Sequence, residues 1–331
     1  MYETNDLSVL DALATDALSF WDMPEDAGAR LINLSENATY LVTAKGGYRA
    51  VLRLHREGYH TAGAIASELA WMEALQADGI IETPRAIPGR NGVVIQKAGH
   101  PDLPQSRHLV LFEFVEGSAP DESGDLAPMF RELGSIAARC HAHALNWSRP
   151  SGFERMTWDE ETVFGSAPTW GDWRDAPGVT EDIRARLEEV ETQIQRRLSA
   201  FGKSPERFNL IHADMRLANL LVEHGETRLI DFDDCGFGWL MYDFAAAISF
   251  IEDDPRIPDL KAAWLAGYQD VRALTPADIA EIDTLIMLRR MALLAWIGSH
   301  IEAPEPQALA PHFAANTARL GDAWLAGLTG N

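Results

Sequence analysis

The stretch Leu210-Ile211-His212-Ala213-Asp214-Met215-Arg216-Leu217-Ala218-Asn219-Leu220-Leu221-Val222, followed by Arg228-Leu229-Ile230-Asp231-Phe232-Asp233-Asp234, constrains this chain more than any other part of it. An apolar pair leads into His-x-Asp, and an Asn follows that Asp by five residues. Two short apolar strands separated by a turn at His224-Gly225-Glu226 then end in Asp-Phe-Asp-Asp. Asp and Asn are ordinary turn formers, but a plain polar hairpin leaves unexplained why the acids cluster at strand ends behind apolar runs. Phosphoryl transfer needs this set: one carboxylate to orient an attacking hydroxyl, an amide and a second carboxylate to hold magnesium against nucleotide phosphates.

On these residues the chain resembles the protein-kinase-like small-molecule kinases, among them the aminoglycoside phosphotransferases, choline kinases and type II homoserine kinases. A His-x-Asp-x-x-x-x-Asn alone is weak; with the apolar-Asp-Phe-Asp strand end at the right interval it is fairly specific. The match is close over the C-terminal half and looser over the N-terminal half. The resemblance implies that Asp214 is the catalytic base, that Asn219 and Asp231 bind Mg2+, that His212 braces the loop, and that ATP is the phosphoryl donor to a small-molecule hydroxyl. The runner-up readings are a protein Ser/Thr kinase and a nucleotide-binding pseudokinase scaffold. Only eleven residues separate Asp231 from Asp243, with no Ala-Pro-Glu, which leaves little room to seat a peptide. The intact Asp214, Asn219 and Asp231 argue against a scaffold.

The chain has 331 residues, enough for two lobes, and 47% of them are hydrophobic, as in a globular protein. Lys plus Arg number 28 against 50 Asp plus Glu, a formal charge of −22. That balance speaks against partners such as nucleic acid or an anionic membrane surface and suits a cationic substrate. Cys140 and Cys235 are too few for a disulfide scaffold and point to a reducing compartment. Cys140-His141-Ala142-His143 looks briefly like a metal cluster, but adjacent residues on a helix point apart, so helix packing is the better reading. With no basic and apolar leader and no membrane-length apolar run, a soluble, cytoplasmic protein is expected.

Hydrophobic periodicity predicts an α+β fold. A leading helix spans 6–20, and strands cover 31–34, 39–42 and 48–54. A helix runs from about 61 to 76, and two more strands cover 93–96 and 108–115. That is the order of a kinase-like N-lobe: a five-stranded antiparallel sheet with one crossing helix. The nucleotide-binding lobe is expected over 1–113 and a mostly α-helical catalytic and substrate-binding lobe over 114–331. Phe112-Glu113-Phe114-Val115-Glu116-Gly117, an ordinary strand exit taken alone, reads as the hinge because it lies between two dissimilar halves; the resemblance to kinase-like folds implies that the backbone of Glu113 and Val115 receives adenine there. Beyond it, helices are expected at about 126–144, 180–200, 240–251, 258–270, 276–300 and 306–327.

The turn Ser35-Glu36-Asn37-Ala38-Thr39-Tyr40 sits where a phosphate-covering loop belongs, without Gly-x-Gly-x-x-Gly; Ser35 and Asn37 are its candidate contacts. Ala50-Val51-Leu52-Arg53 places an Arg where a kinase presents its phosphate-binding Lys, keeping the charge in a different geometry. Strand alternation turns Arg53 away from Leu52 and Leu54, which fits either a cleft or solvent. Glu68, on the following helix, is either its ion-pair partner or a solvated residue. Asp233 shares a side with Asp231 and is a candidate second metal ligand, or only orients the loop. Arg216 either neutralises the transferred phosphoryl group or sits in solvent. Asp243 reads either as a helix cap or, by the resemblance, as a hydrogen-bond acceptor for the catalytic-loop backbone. Trp147, Trp158, Trp170 and Trp173 lie among Glu160, Glu161, Asp172 and Asp175. They either offer faces to an ammonium-bearing acceptor, such as an amino alcohol, hydroxy amino acid or amino sugar, or pin an irregular segment to the helices.

Overall fold

Strand-forming alternation shapes the opening part of the chain. The computed structural model describes residues 7–120 and 124–329. Strands β1 (Gly28–Leu34), β2 (Ala38–Thr43), β3 (Arg49–Leu54), β4 (Ala86–Ile87), β5 (Gln96–Ala98) and β6 (Arg107–Glu113) form one antiparallel sheet in the order β1-β2-β3-β6-β4, with β5 also paired to β6. The strand missing from the sequence reading is β4. Two residues are too few to show alternation, and only pairing with Leu111 and Phe112 defines it. β5 starts at Gln96 rather than Val93 because Val93 is used in a turn, its N–H donating to the Asn91 side chain and its carbonyl accepting from Gly89. The β2–β3 connection places Gly46 and Gly47 at φ 81° and 87°, a left-handed turn that glycine enters without Cβ strain.

Helix α1 (Leu7–Ala17) buries Leu10, Leu13, Ala14 and Ala17 in one core with Tyr40, Val42, Ala50, Leu52, Leu109 and Leu111 from the sheet. Helix α2 (Ala62–Ala77) starts at Thr61, whose hydroxyl accepts the Ala64 N–H, and buries Ile65, Glu68, Trp71, Met72 and Leu75. This first unit comprises the described residues through Gly117 together with Arg149–Glu154 and Leu221–Asp233. The late segment enters by backbone pairing: Glu82 bridges Arg228, Leu229 N–H donates to the Glu82 carbonyl, and Phe232 meets Trp71 edge-on.

The second unit is mostly helical, as expected. Its elements are α3 (Ala127–Asn146), α4 (Glu160–Phe164), α5 (Glu181–Phe201), α6 (Tyr242–Ala247), α7 (Ile257–Gln269), α8 (Pro276–Ala280), α9 (Ile282–Ser299) and α10 (Pro304–Thr329). A small sheet orders β7 (Thr157–Trp158), β11 (Gly236–Trp239) and β8 (Phe208–Ile211). The hairpin of β9 (Leu220–Glu223) and β10 (Glu226–Leu229) follows β8 in the chain and from Leu221 on belongs to the first unit. Helices α3 and α7 cross at Gly134 and Gly267. A Cβ at either position would collide with the backbone of the other helix, so close approach requires glycine there. No described helix is long and apolar enough to cross a membrane.

Candidate active site

In the second unit, β8 delivers His212-Ala213-Asp214 from its C-terminal end. Ala213 takes the left-handed conformation, φ 65°, which costs an L residue energy and needs support. Asp243, in the first turn of α6, gives it: its carboxylate accepts the Ala213 N–H at 2.7 Å and the His212 N–H at 3.2 Å. The acceptor reading of Asp243 is therefore the observed one. His141 bonds the same carboxylate through Nε2 at 2.9 Å, and its Nδ1 meets the Tyr268 hydroxyl at 3.0 Å. His141, at 0% exposure, is thereby part of the support for the loop. His212, also fully buried, accepts the Asp214 N–H on Nδ1 at 3.3 Å.

The Asp214 carboxylate is held on both oxygens. Asn219 Nδ2 donates to Oδ2 at 2.8 Å and, at the same distance, to the Asp214 main-chain carbonyl. Arg289 Nη2 donates to Oδ1 at 2.9 Å, and Arg216 Nε lies 3.2 Å from that oxygen. Arg216 is partly exposed, stacks over Phe250 and approaches Glu305 at 3.9 Å. It is thus neither an isolated solvent residue nor buried. With its nitrogen spent on Asp214, the Asn219 amide has Oδ1 as its remaining ligand atom, which fits an oxygen-seeking cation.

In the first unit, Arg53 is only 9% exposed, which settles its orientation: it faces inward. Its Nη1 donates to Glu68 Oε1 at 2.7 Å, Glu68 being fully buried, and lies 3.4 Å from Asp233 Oδ1; Nη2 lies 3.6 Å from Asp231. Burial works against the guanidinium charge, and Glu68, Asp233 and Asp231 more than offset it, holding its pKa above the usual arginine value. Asp231 sits at φ 62° with its side chain 46% exposed, the more accessible of the two acids. Asp233 is buried; His60 Nε2 meets its main-chain oxygen at 2.9 Å and lies 3.5 Å from Oδ1, and His55 is 3.8 Å from Oδ1. Burial alone would raise the Asp233 pKa, but His60 and the Arg53 guanidinium hold it well below the carboxylate range. Burial also keeps His55 neutral, its pKa pushed down to about 3, so its contact with Asp233 is not an ion pair.

The phosphate-loop candidates lie in the β1–β2 turn. Ser35 N–H donates to the Asn37 carbonyl, and the buried Asn37 Oδ1 accepts the Arg56 N–H at 3.1 Å, so this side chain braces the loop against the segment after β3. Glu113 ends β6, where its N–H donates to the Arg85 carbonyl at 2.8 Å; Val115 follows in the non-strand segment up to Gly117.

The tryptophans pin the segment. Trp158 and Trp173 are buried, with Trp158 Nε1 on the Asp234 carbonyl at 2.7 Å and Trp173 Nε1 on Glu191 at 2.8 Å. Trp158 packs against Trp170, and Trp147 stacks on His143. Cations do meet these rings, but they are the chain's own: Arg289 over Trp170 and Arg174 over Trp173. Glu160 pairs with Lys203, and Asp172 caps the turn at Trp173. The sequence reading passed over Arg289, His60 and His55, and took His141 for helix packing alone. Arg289 had a signal: Leu285-Ile286-Met287-Leu288-Arg289-Arg290-Met291-Ala292-Leu293-Leu294 is apolar on all sides but for two arginines, and a helix of that kind is buried.

A left-handed His-x-Asp loop supported by a helix carboxylate, an Asn beside the Asp, and an Arg–Glu pair between a strand and the next helix define a phosphotransferase of the protein-kinase-like class. The chain belongs to the phosphotransferase enzyme family, whose model matches residues 29–277. It is 42% identical to the structure of a microcompartment-associated aminopropanol kinase, covering 96% of this chain and 98% of that one at a TM-score of 0.88. Amicoumacin kinase of Bacillus subtilis (strain 168) is 25% identical over 276 residues, 80% of this chain and 78% of that protein. The structure of amicoumacin kinase hAmiN in complex with AMP-PNP, Ca2+ and Ami shares the fold at a TM-score of 0.74 and 20% identity, covering 95% and 93%. The chain is an ATP-dependent phosphotransferase whose acceptor is an alcohol group of a small molecule.

Proposed function

We propose that this protein phosphorylates the hydroxyl of a small amino alcohol. The observation that carries the reading is the 42% identity to an aminopropanol kinase along almost the whole of both chains. The formal charge of −22 agrees with it, since the surrounding potential favours a cationic acceptor. The buried tryptophans lend it no support.

In this reading Asp214 accepts a hydrogen bond from the acceptor hydroxyl, orients its oxygen for attack and takes up its proton as the new O–P bond forms and the bond from the γ-phosphorus to the bridging oxygen breaks, ADP leaving with that oxygen. Asn219 holds the carboxylate in one rotamer through Nδ2. Arg216, partly exposed beside Asp214, steadies charge on the phosphoryl group in transfer. His212 and Asp243 keep the loop backbone in its left-handed turn. Arg53, held by Glu68, supplies positive charge to nucleotide phosphates. Ser35, with the β1–β2 turn, belongs to the same nucleotide side, and the backbone of Glu113 and Val115 is assigned to adenine. Mg2+, a hard cation suited to these oxygen ligands, would be held by Asn219 Oδ1 and Asp231, and when bound neutralises phosphate charge. Asp233, enclosed by Arg53, His55 and His60, is better suited to bracing Arg53 than to a second metal. Cytoplasmic residence is part of the same reading, carried by the sparse cysteine content.

The test is a matched panel of amino alcohols and their uncharged analogues, assayed with Mg·ATP at low and moderate salt. Amines should be preferred, and more so at low salt. A preference for neutral or anionic acceptors would contradict the amino-alcohol assignment and leave the phosphotransferase standing.

A further inference from the structure

Arg289 has no role in the assignments above, yet its surroundings are built around one contact. It lies in α9 and is 2% exposed. Trp170 and Tyr242 present their rings to the guanidinium at 5.2 and 5.9 Å, Nε donates to Ser249 Oγ at 3.2 Å, and Nη2 donates to Asp214 Oδ1 at 2.9 Å. Burial opposes its charge, while Tyr242, Asp214 and Asp234 hold its pKa above the usual arginine value. A buried ion pair is poor value for stability alone, because an apolar residue of like volume packs a helix as well without desolvating a cation. What the guanidinium adds is direction. Clamped from three sides, it approaches Asp214 along one line.

Arg216 touches the same carboxylate but differs in kind. It is partly solvent-exposed, lies over Phe250 and shares its guanidinium with Glu305, so its hold on Asp214 is not enclosed by the helical core. Asn219 fixes Oδ2 from the loop itself. Arg289 is the group that ties Oδ1 to the helical body of the unit.

We propose that Arg289 is a positioning residue for phosphoryl transfer: it fixes the Asp214 carboxylate through Oδ1, so that the carboxylate keeps one orientation toward the acceptor hydroxyl. The inference rests on Asp214 being the group that orients that hydroxyl. A carboxylate freed on one oxygen rotates about its terminal torsion, and misplacement on the order of 1 Å costs roughly 10²-fold in rate. Binding of nucleotide does not depend on this contact, so the loss should appear in kcat.

The experiment compares Arg289→Met and Arg289→Lys with wild type, each also in an Asp214→Ala background. Folding is checked by thermal melting and nucleotide affinity by calorimetry. Arg289→Met should keep wild-type affinity for Mg·ATP and wild-type acceptor KM while kcat falls about 10²-fold. Arg289→Lys should fall between, because the charge survives and the planar fork does not. In the Asp214→Ala background Arg289→Met should cost nothing further, since residues acting as a unit are not additive. Wild-type kcat in a folded Arg289→Met, an equal fold-loss in both backgrounds, or a loss confined to nucleotide affinity would each overturn the proposal. If Arg289→Met does not fold, Arg289→Lys decides: reduced kcat that disappears in the Asp214→Ala background supports the role, and wild-type kcat overturns it. Full activity in Asp214→Ala alone would instead remove the assignment of the base.

Discussion

Asn219 bonds Asp214 twice, its Nδ2 donating at 2.8 Å both to the main-chain carbonyl and to Oδ2. The side chain assigned to the metal thus also orients the carboxylate assigned as the base. Asn219→Asp would offer a better-charged metal ligand, yet it replaces the donor with a second carboxylate facing Asp214. We expect kcat to drop about 10²-fold despite unchanged or tighter metal affinity, from the lost orientation. Steady-state kinetics across a Mg2+ titration check this; a variant restored to wild-type kcat by saturating metal would contradict it.

Arg53 and Glu68 form a buried pair at 2.7 Å. Removing one member strands the other, so Arg53→Ala should cost about 3–5 kcal/mol of stability. Arg53→Met combined with Glu68→Leu should recover part of that loss in urea unfolding while nucleotide affinity stays low. Recovery of nucleotide affinity in the double variant would place the phosphate contact elsewhere.

Asp243 accepts two backbone N–H groups around Ala213, one of them at 2.7 Å, and the His141 ring. Asp243→Asn puts an amide nitrogen against one of these donors. A loss of about 3 kcal/mol in unfolding free energy is expected, together with a steep fall in kcat as the loop relaxes from its left-handed turn. Chemical denaturation and initial rates read the two effects separately.

Gly267→Ala should destabilise the second unit, because the added methyl runs into the Arg131 carbonyl on α3. Overpacking of this kind costs on the order of 1–3 kcal/mol, and more where backbone must move. A melting temperature equal to wild type would mean that α3 and α7 separate easily at this crossing.

The parts of this protein that could be read from its sequence are those whose meaning is local. The spacing of His212, Asp214 and Asn219 marks the hydrogen-bonded loop that the structure shows, and most strands and helices follow from periodicity. Strand alternation turned Arg53 away from the core side of β3, but whether that face meets water or Glu68 depends on how α2 packs, which no spacing records. The tryptophan stretch had two readings because aromatic residues serve cores and ligands alike; the hydrogen bonds of Trp158 to the Asp234 carbonyl and of Trp173 to Glu191 decide for packing. The strand β4 and the union of Leu221–Asp233 with the first unit arise from long-range pairing. Arg289 reaches Asp214 from 75 residues away, and only the rule that a buried arginine needs a partner could have pointed to it.

The central claim is that Asp214 directs transfer from ATP to an alcohol. It is tested most directly by following phosphorylated product by mass spectrometry, with 1-amino-2-propanol as acceptor and Mg·ATP as donor, for wild type and Asp214→Asn, with nucleotide affinity measured on both. The account predicts an O-phosphorylated product from wild type, a fall of orders of magnitude in Asp214→Asn, and near-equal affinity for Mg·ATP in the two proteins. Product formed by Asp214→Asn at close to the wild-type rate would contradict it.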